Sequence, residues 1–139
     1  GLGPPSGRGG MELKVKLYLI DEESEKFMGI GVLWLLEKVA EHSSLRKAAM
    51  SLGISYTKAL AMVQNLEREL GIAVLNRQKG GAQRSGATLT PFGHDFITRY
   101  RSFEQEAKRS TETSYEAFKA DLGALIDQYD NTEERDDEQ

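Results

Sequence analysis

The segment SSLRKAAMSLGISYTKALAMVQNLERELG, residues 43–71, constrains the fold more than any other part of the chain. Ser44 stands where an N-cap is needed, its hydroxyl able to accept from a free N–H of the first turn, and a short helix is predicted over Leu45–Leu52. Gly53 suits the left-handed position that ends such a helix. Ser55 then offers a second cap, and Tyr56–Leu70 carries Ala59, Val63, Leu66 and Leu70 at the spacing of one helical face. Gly71 closes it. Two helices joined by a turn of three or four residues around a glycine form a helix-turn-helix. Ala48 and Ala49 are small enough to let the pair cross closely.

The flanking sequence supplies the rest of a small domain. Residues 12–20, ELKVKLYLI, alternate Leu13, Val15, Leu17 and Leu19 with Lys14, Lys16 and Tyr18, which predicts a half-buried strand. Asp21–Lys26 reads as a charged turn. Met28–His42 is predicted helical, with Ile30, Leu33, Trp34, Val39 and Ala40 as its apolar stripe and Glu37, Lys38 and Glu41 opposite. After Gly71, Ile72–Asn76 reads as a strand, Arg77–Gly86 as a glycine-rich basic loop and Ala87–Leu89 as the returning strand. That is a β-hairpin with a basic tip, a wing. Thr90 and Pro91 read as cap and first residue of a further helix. Its apolar residues Phe96, Tyr100, Phe103 and Ala107 make one seam, and Tyr115, Phe118, Leu122, Leu125 and Tyr129 a second. Ser110–Ser114, weak helix formers, predict a bend or break between them. Aromatic residues at seam spacing on so small a body call for a second copy to cover them, so a homodimer is expected through Phe96, Tyr100, Phe103, Ala107, Tyr115, Phe118 and Leu122.

The expected fold class is therefore mainly α with a small β component: a winged helix-turn-helix with an N-terminal strand and a long C-terminal dimerisation helix. Four regions are expected. A disordered leader occupies 1–11, the winged domain 12–90, the helical dimerisation extension 91–129, and an acidic disordered tail 130–139, which holds no apolar residue.

Whole-chain charge argues against a nucleic-acid partner. With 18 basic and 22 acidic residues the net charge is −4 and the pI about 5.3, and an acidic protein is repelled by DNA. The charge is unevenly spread, however. Residues 43–101 carry nine basic and three acidic side chains, whereas residues 111–139 carry two basic and ten acidic ones. The basic excess falls on the predicted helix-turn-helix and wing.

A helix presented by a tight turn fits the roughly 12 Å major groove, and its N-terminal residues reach base edges. Here those are Tyr56, Thr57, Lys58 and, one turn on, Ala61. Thr57 can donate or accept, Lys58 can meet guanine or phosphate, and Ala61 permits contact with a thymine methyl. Tyr56 reads either as a DNA contact or as a packing residue against Trp34 or the wing. Ser44, Arg46 and Lys47 at the start of the preceding helix are placed for phosphate oxygens. The wing adds Arg77, Lys79, Gln83 and Arg84. Arg68 and Glu69 read as a solvated face.

The residues Ser44-Leu45-Arg46-Lys47-Ala48-Ala49, Gly53-Ile54-Ser55-Tyr56, Leu66 to Gly71, the glycine-rich wing, and Leu89-Thr90 followed by Gly93 together resemble the N-terminal DNA-binding domain of the molybdate-responsive ModE-type regulators, itself similar to the winged helix-turn-helix of LysR-type regulators. The resemblance runs from about Leu13, where that family also begins with a strand, to about Ala107. It implies a homodimeric transcriptional regulator that pairs through the helix after the wing and sets two recognition helices on a palindromic operator, with Ser55, Tyr56, Thr57 and Lys58 opening the recognition helix and Arg77 to Arg84 forming the wing. ModE-type molybdate sensors continue into β-rich ligand-binding modules. This sequence shows no such small-molecule ligand domain, so molybdate sensing does not carry over.

Other chemistries lack their motifs. The absence of Cys excludes disulfides and thiolate metal sites and fits a reducing, cytoplasmic compartment. The longest apolar run, Ile30–Leu36, is far short of the roughly 20 residues of a membrane span, and Gly1–Gly10 has no apolar stretch that would make a signal peptide. Met11 reads as the natural start. His42 and His94 have no metal-site spacing. There is no GxSxG elbow, Trp34 breaks a GxGxxG after Gly29 and Gly31, and Lys79 precedes Gly80 and Gly81 instead of closing a phosphate loop. No enzyme activity, cofactor or metal is expected, and double-stranded DNA is the expected partner. The alternative is a winged-helix protein-interaction module, or an autoinhibited regulator, using the C-terminal helix and acidic tail.

Overall fold

The structure, a computed structural model, describes residues 10–77 and 86–138. These fall into two compact units, Leu17–Glu104, and the residues from 105 onward with the segment before 17. The elements in chain order are β1 (Tyr18–Ile20), β2 (Lys26–Gly29), α1 (Ile30–His42), α2 (Leu45–Ser51), α3 (Tyr56–Leu70), β3 (Leu75–Arg77), β4 (Ala87–Leu89) and α4 (Pro91–Glu138). The mainly helical winged fold with small antiparallel hairpins and a long C-terminal helix is as the sequence predicts.

The first unit is built round α1. Leu35, Leu36 and Val39 of α1 are fully buried with Leu45, Ala48 and Ala49 of α2 and Ala59, Val63 and Leu66 of α3. Val74, Leu75, Ala87 and Leu89 close the core from the wing, and Ile97 and Tyr100 from α4. The caps act as expected: Ser44 Oγ accepts from Lys47 N at 3.1 Å and Ser55 Oγ from Lys58 N at 3.0 Å. Gly53 and Gly71 end α2 and α3 at φ +70° and +73°, a conformation that only glycine adopts without strain. β3 and β4 pair antiparallel with Leu75 opposite Leu89, and the first residue of β4 also meets the α1–α2 turn, where Ala87 N donates to Ser43 O at 3.2 Å.

Several expectations are corrected. The strand predicted over Glu12–Ile20 pairs only over Tyr18–Ile20, because its partner is the four-residue β2. β2 occupies residues assigned to turn and helix. Its few positions give periodicity little to act on, although Met28 is buried. The Asp21 carboxylate stabilises the turn between them, accepting from Glu23 N and Glu25 N. In α1 the buried set is Leu33, Leu35, Leu36 and Val39, while Ile30 and Ala40 lie outside and Trp34 is 52 % exposed. The run Val32–Leu36 is apolar all round, so its pattern leaves the rotation of the helix open. β3 starts at Leu75, not Ile72, since the N–H groups of Val74 and Leu75 both donate to Glu67 Oε2 of α3, at 2.8 and 3.2 Å.

α4 shows no break at Ser110–Ser114, and helix continues beyond Tyr129 to Glu138. Thr111 Oγ1 returns a hydrogen bond of 2.8 Å to Lys108 O, so the hydroxyl is satisfied without leaving the helix. Thr111, half-buried, fills the position between Ala107 and Tyr115. The stretch after Tyr129 holds neither Gly nor Pro to stop a helix. In this second unit Tyr115 Oη donates to Met11 O at 3.0 Å.

Tyr100 sits only 4 % exposed in the core, its ring in line with those of Phe96 and Phe103, and its hydroxyl has no hydrogen-bond partner among the described residues. Burial, and then the nearby Glu104 carboxylate, push that hydroxyl above the ordinary tyrosine pKa. The unfolded chain therefore ionises first, so the residue's contribution is complete below about pH 10 and falls as pH rises through the raised value. Tyr100→Phe keeps the ring and removes the unpaired group. It should stabilise the fold by about 1 kcal/mol and flatten the alkaline limb of a stability-versus-pH curve; a lower melting temperature would refute this.

Candidate nucleic-acid interface

The buried face of α3, Ala59, Val63 and Leu66, fixes the opposite face outward. Thr57, Lys58, Ala61, Gln64, Asn65 and Arg68 are all exposed there. The first three are among the expected DNA contacts. Gln64 was not picked out by sequence reasoning, although its spacing of three from Ala61 and seven from Thr57 puts it on the same line. Arg68 Nη1 donates to Asn65 Oδ1 at 3.0 Å, which fits the solvated face expected of it.

Arg46 and Lys47 are exposed on the first turn of α2. Ser44 is not on that surface. It is 8 % exposed and its hydroxyl serves as the cap of α2. Ser55 is exposed but likewise engaged as a cap. Tyr56, at the first position of α3, is half-buried against the core, and the Arg46 guanidinium lies over its ring, 4.5 Å from the centroid. Tyr56 thus packs on the core with one face of its ring taken by Arg46. No sequence signal joins residues 46 and 56, because their meeting depends on how the turn sets one helix on the other.

Arg77 ends β3, half-buried. Lys79, Gln83 and Arg84, expected at the wing tip, lie outside the described residues. The base of the wing is held firmly. Besides the Glu67 carboxylate on Val74 and Leu75, Thr90 N donates to Val74 O at 2.9 Å and Thr90 Oγ1 donates to Ala73 O at 2.9 Å. The same Oγ1 caps α4 by accepting from Gly93 N. Glu67 went unnoticed in the sequence, where it reads as one more charge on an exposed helix end.

The expected dimer residues are divided by the structure. Tyr100 belongs to the chain's own core and Phe96 is half-buried, stacked between Phe92 and Tyr100. Phe103 and Phe118 are 48 % and 56 % exposed, and Ala107, Tyr115 and Leu122 are half-buried. Among the described residues no helix is long and apolar enough to cross a membrane.

Residues 31–94 match the family model of the bacterial regulatory helix-turn-helix proteins of the lysR family. The molybdenum-pterin-binding protein MopB of Rhodobacter capsulatus is 34 % identical over 77 residues, which are 55 % of this chain and 28 % of MopB. The HTH-type transcriptional regulator TcbR of Pseudomonas sp. (strain P51) is 33 % identical over 94 residues, 68 % of this chain and 30 % of TcbR. The chain thus spans less than a third of the length of these curated relatives. Among solved structures, the CbnR DNA-binding domain in complex with DNA superposes with a TM-score of 0.52 at 31 % identity, covering 65 % of this chain and 98 % of that one. Full-length CbnR complexed with its target DNA gives 0.50 at 31 % identity, covering 63 % and 28 %.

Proposed function

Residues 31–94 of this chain are a helix-turn-helix domain of the bacterial regulatory lysR family, and from that premise we propose that the chain is a sequence-specific DNA-binding transcriptional regulator, acting as a homodimer on a palindromic site. The observation that carries the reading is the outer face of α3, where Thr57, Lys58 and Ala61 stand exposed beside Arg46 and Lys47 of α2. Small and polar side chains at the start of a presented helix suit the edges of bases in the major groove. The cations on α2 and the basic wing suit phosphates, which set position and register and carry no sequence information. Thr57 and Ala61 therefore read bases, Lys58 meets a guanine or a phosphate, and Arg46, Lys47 and Arg77, with Lys79, Gln83 and Arg84 of the basic loop, hold the backbone or minor groove.

Likeness to CbnR, which is solved on DNA, supports this reading, as does the basic excess of residues 43–101. The second copy is expected to pair through Phe103, Ala107, Phe118 and Leu122; Tyr100 takes no part because its own core already covers it. The likeness to MopB and the β1–β2 pair, which begins ahead of the residues matched by the family, support a ModE-type position within it.

The reading is tested by fluorescence anisotropy on pooled genomic duplexes at graded salt. With about six phosphates neutralised per protomer, log affinity should fall against log salt with a slope of roughly −5 for each protomer bound. Light scattering at tens of micromolar should give two chains per particle. A protein that binds no duplex at low salt would sink the proposal.

A further inference from the structure

Three described arginines pair with carboxylates of the protein itself. Arg99, Arg101 and Arg109 pair with Asp95, Glu37 and Glu106, and Arg68 is held by the Asn65 amide. Arg46 is fixed differently. Its guanidinium lies on the Tyr56 ring, and among the described residues no carboxylate pairs with it. An aromatic face orients a guanidinium by attraction to its charge without consuming any of the five N–H donors, which all point outward in the guanidinium plane. Tyr56 is itself immobilised, half-buried against the core at the start of α3 directly after the Ser55 cap. The charge is therefore kept and its rotamers are restricted, which is the preparation a bidentate phosphate contact needs.

Resting on the DNA-binding reading, we infer that Arg46 and Tyr56 form one phosphate-binding unit: Arg46 makes the backbone contact, and Tyr56 is a positioning residue that aims it and does not read a base. The unit spans the two helices of the motif, so it also ties the register of α3 in the groove to the phosphate gripped by α2. Arg46 is the phosphate contact of greatest consequence under this assignment. A lysine cannot replace it, because an ammonium lacks the planar fork.

The test is a double-mutant cycle in duplex affinity at graded salt, on wild type, Arg46→Lys, Arg46→Ala, Tyr56→Phe, Tyr56→Leu and the Arg46→Ala/Tyr56→Leu double variant. Tyr56→Phe keeps the ring and should bind within about twofold of wild type. Tyr56→Leu and Arg46→Lys should each lose about tenfold, and Arg46→Ala should also lower the salt slope by about one. In the Arg46→Ala background Tyr56→Leu should cost almost nothing more. Arg46 is exposed, so its variants report even where Tyr56→Leu lowers stability. Losses that multiply in the double variant, or a Tyr56→Phe loss as large as that of Tyr56→Leu, would overturn the assignment while leaving DNA binding standing. Wild-type protein that binds no duplex would overturn both.

Discussion

Replacing Gly93 by alanine should destabilise the Leu17–Glu104 unit by about 2 to 4 kcal/mol and lower its melting temperature by roughly 10–20 °C. A Cβ at this position would stand 2.3 Å from Val74 O and 3.1 Å from its carbonyl carbon. Both are backbone atoms, and Val74 O is already held by Thr90 N. Neither side can yield easily. Val74 N is bound to the Glu67 carboxylate, and Gly93 N is bound to the Thr90 hydroxyl that in turn grips Ala73 O. An added methyl must therefore push the start of α4 off the base of the wing, and the better helix propensity of alanine, worth up to about 1 kcal/mol, does not offset that. Gly31→Ala in α1, where nothing lies within 4 Å of the new Cβ, is the control and should be neutral or slightly stabilising. Equal melting temperatures for the two variants would show that the contact at Gly93 does not hold the wing.

Reversing two charges together, Lys47→Glu with Lys58→Glu, should lower duplex affinity by two to three orders of magnitude at 0.1 M salt. Each neutralised phosphate contributes about tenfold at that salt through counterion release, so two lost contacts give roughly a hundredfold and the added repulsion the rest. The salt slope should shrink by about two. Both side chains are exposed and their backbone N–H groups are capped by serines, so the melting temperature should stay close to wild type. Affinity within threefold of wild type, measured by anisotropy on the same duplexes, would remove α2 and the start of α3 from the interface.

What was legible in the sequence is what local chemistry dictates. α3 runs from Tyr56 to Leu70 as predicted, because a serine cap, a regular inner face and a terminal glycine all act within a few residues of one another. The caps at Ser44 and Thr90 and the β4 strand were legible for the same reason. What escaped depends on partners far along the chain. Glu67 looks like a surface charge until β3 folds back to offer it two N–H groups. Tyr100 looks like one member of an exposed seam until α4 docks and buries it. Trp34 looks like core because its neighbours are apolar on every side, and only the packing of α1 against α2 and the wing decides which of them faces inward. The Arg46–Tyr56 stack belongs to the same class, two unremarkable residues joined by the geometry of a turn.

The central claim is that the face of α3 bearing Thr57, Lys58 and Ala61 reads a DNA sequence. The most direct measurement is selection of wild-type protein on pooled genomic fragments at moderate salt, followed by sequencing of what is retained and footprinting of the enriched site. Enrichment of a sequence built of two inverted half-sites, protected with two-fold symmetry in adjacent major grooves and lost with Thr57→Ala and Ala61→Glu, is the expected result. Retention of fragments without sequence preference, or with a preference those substitutions leave unchanged, would contradict it.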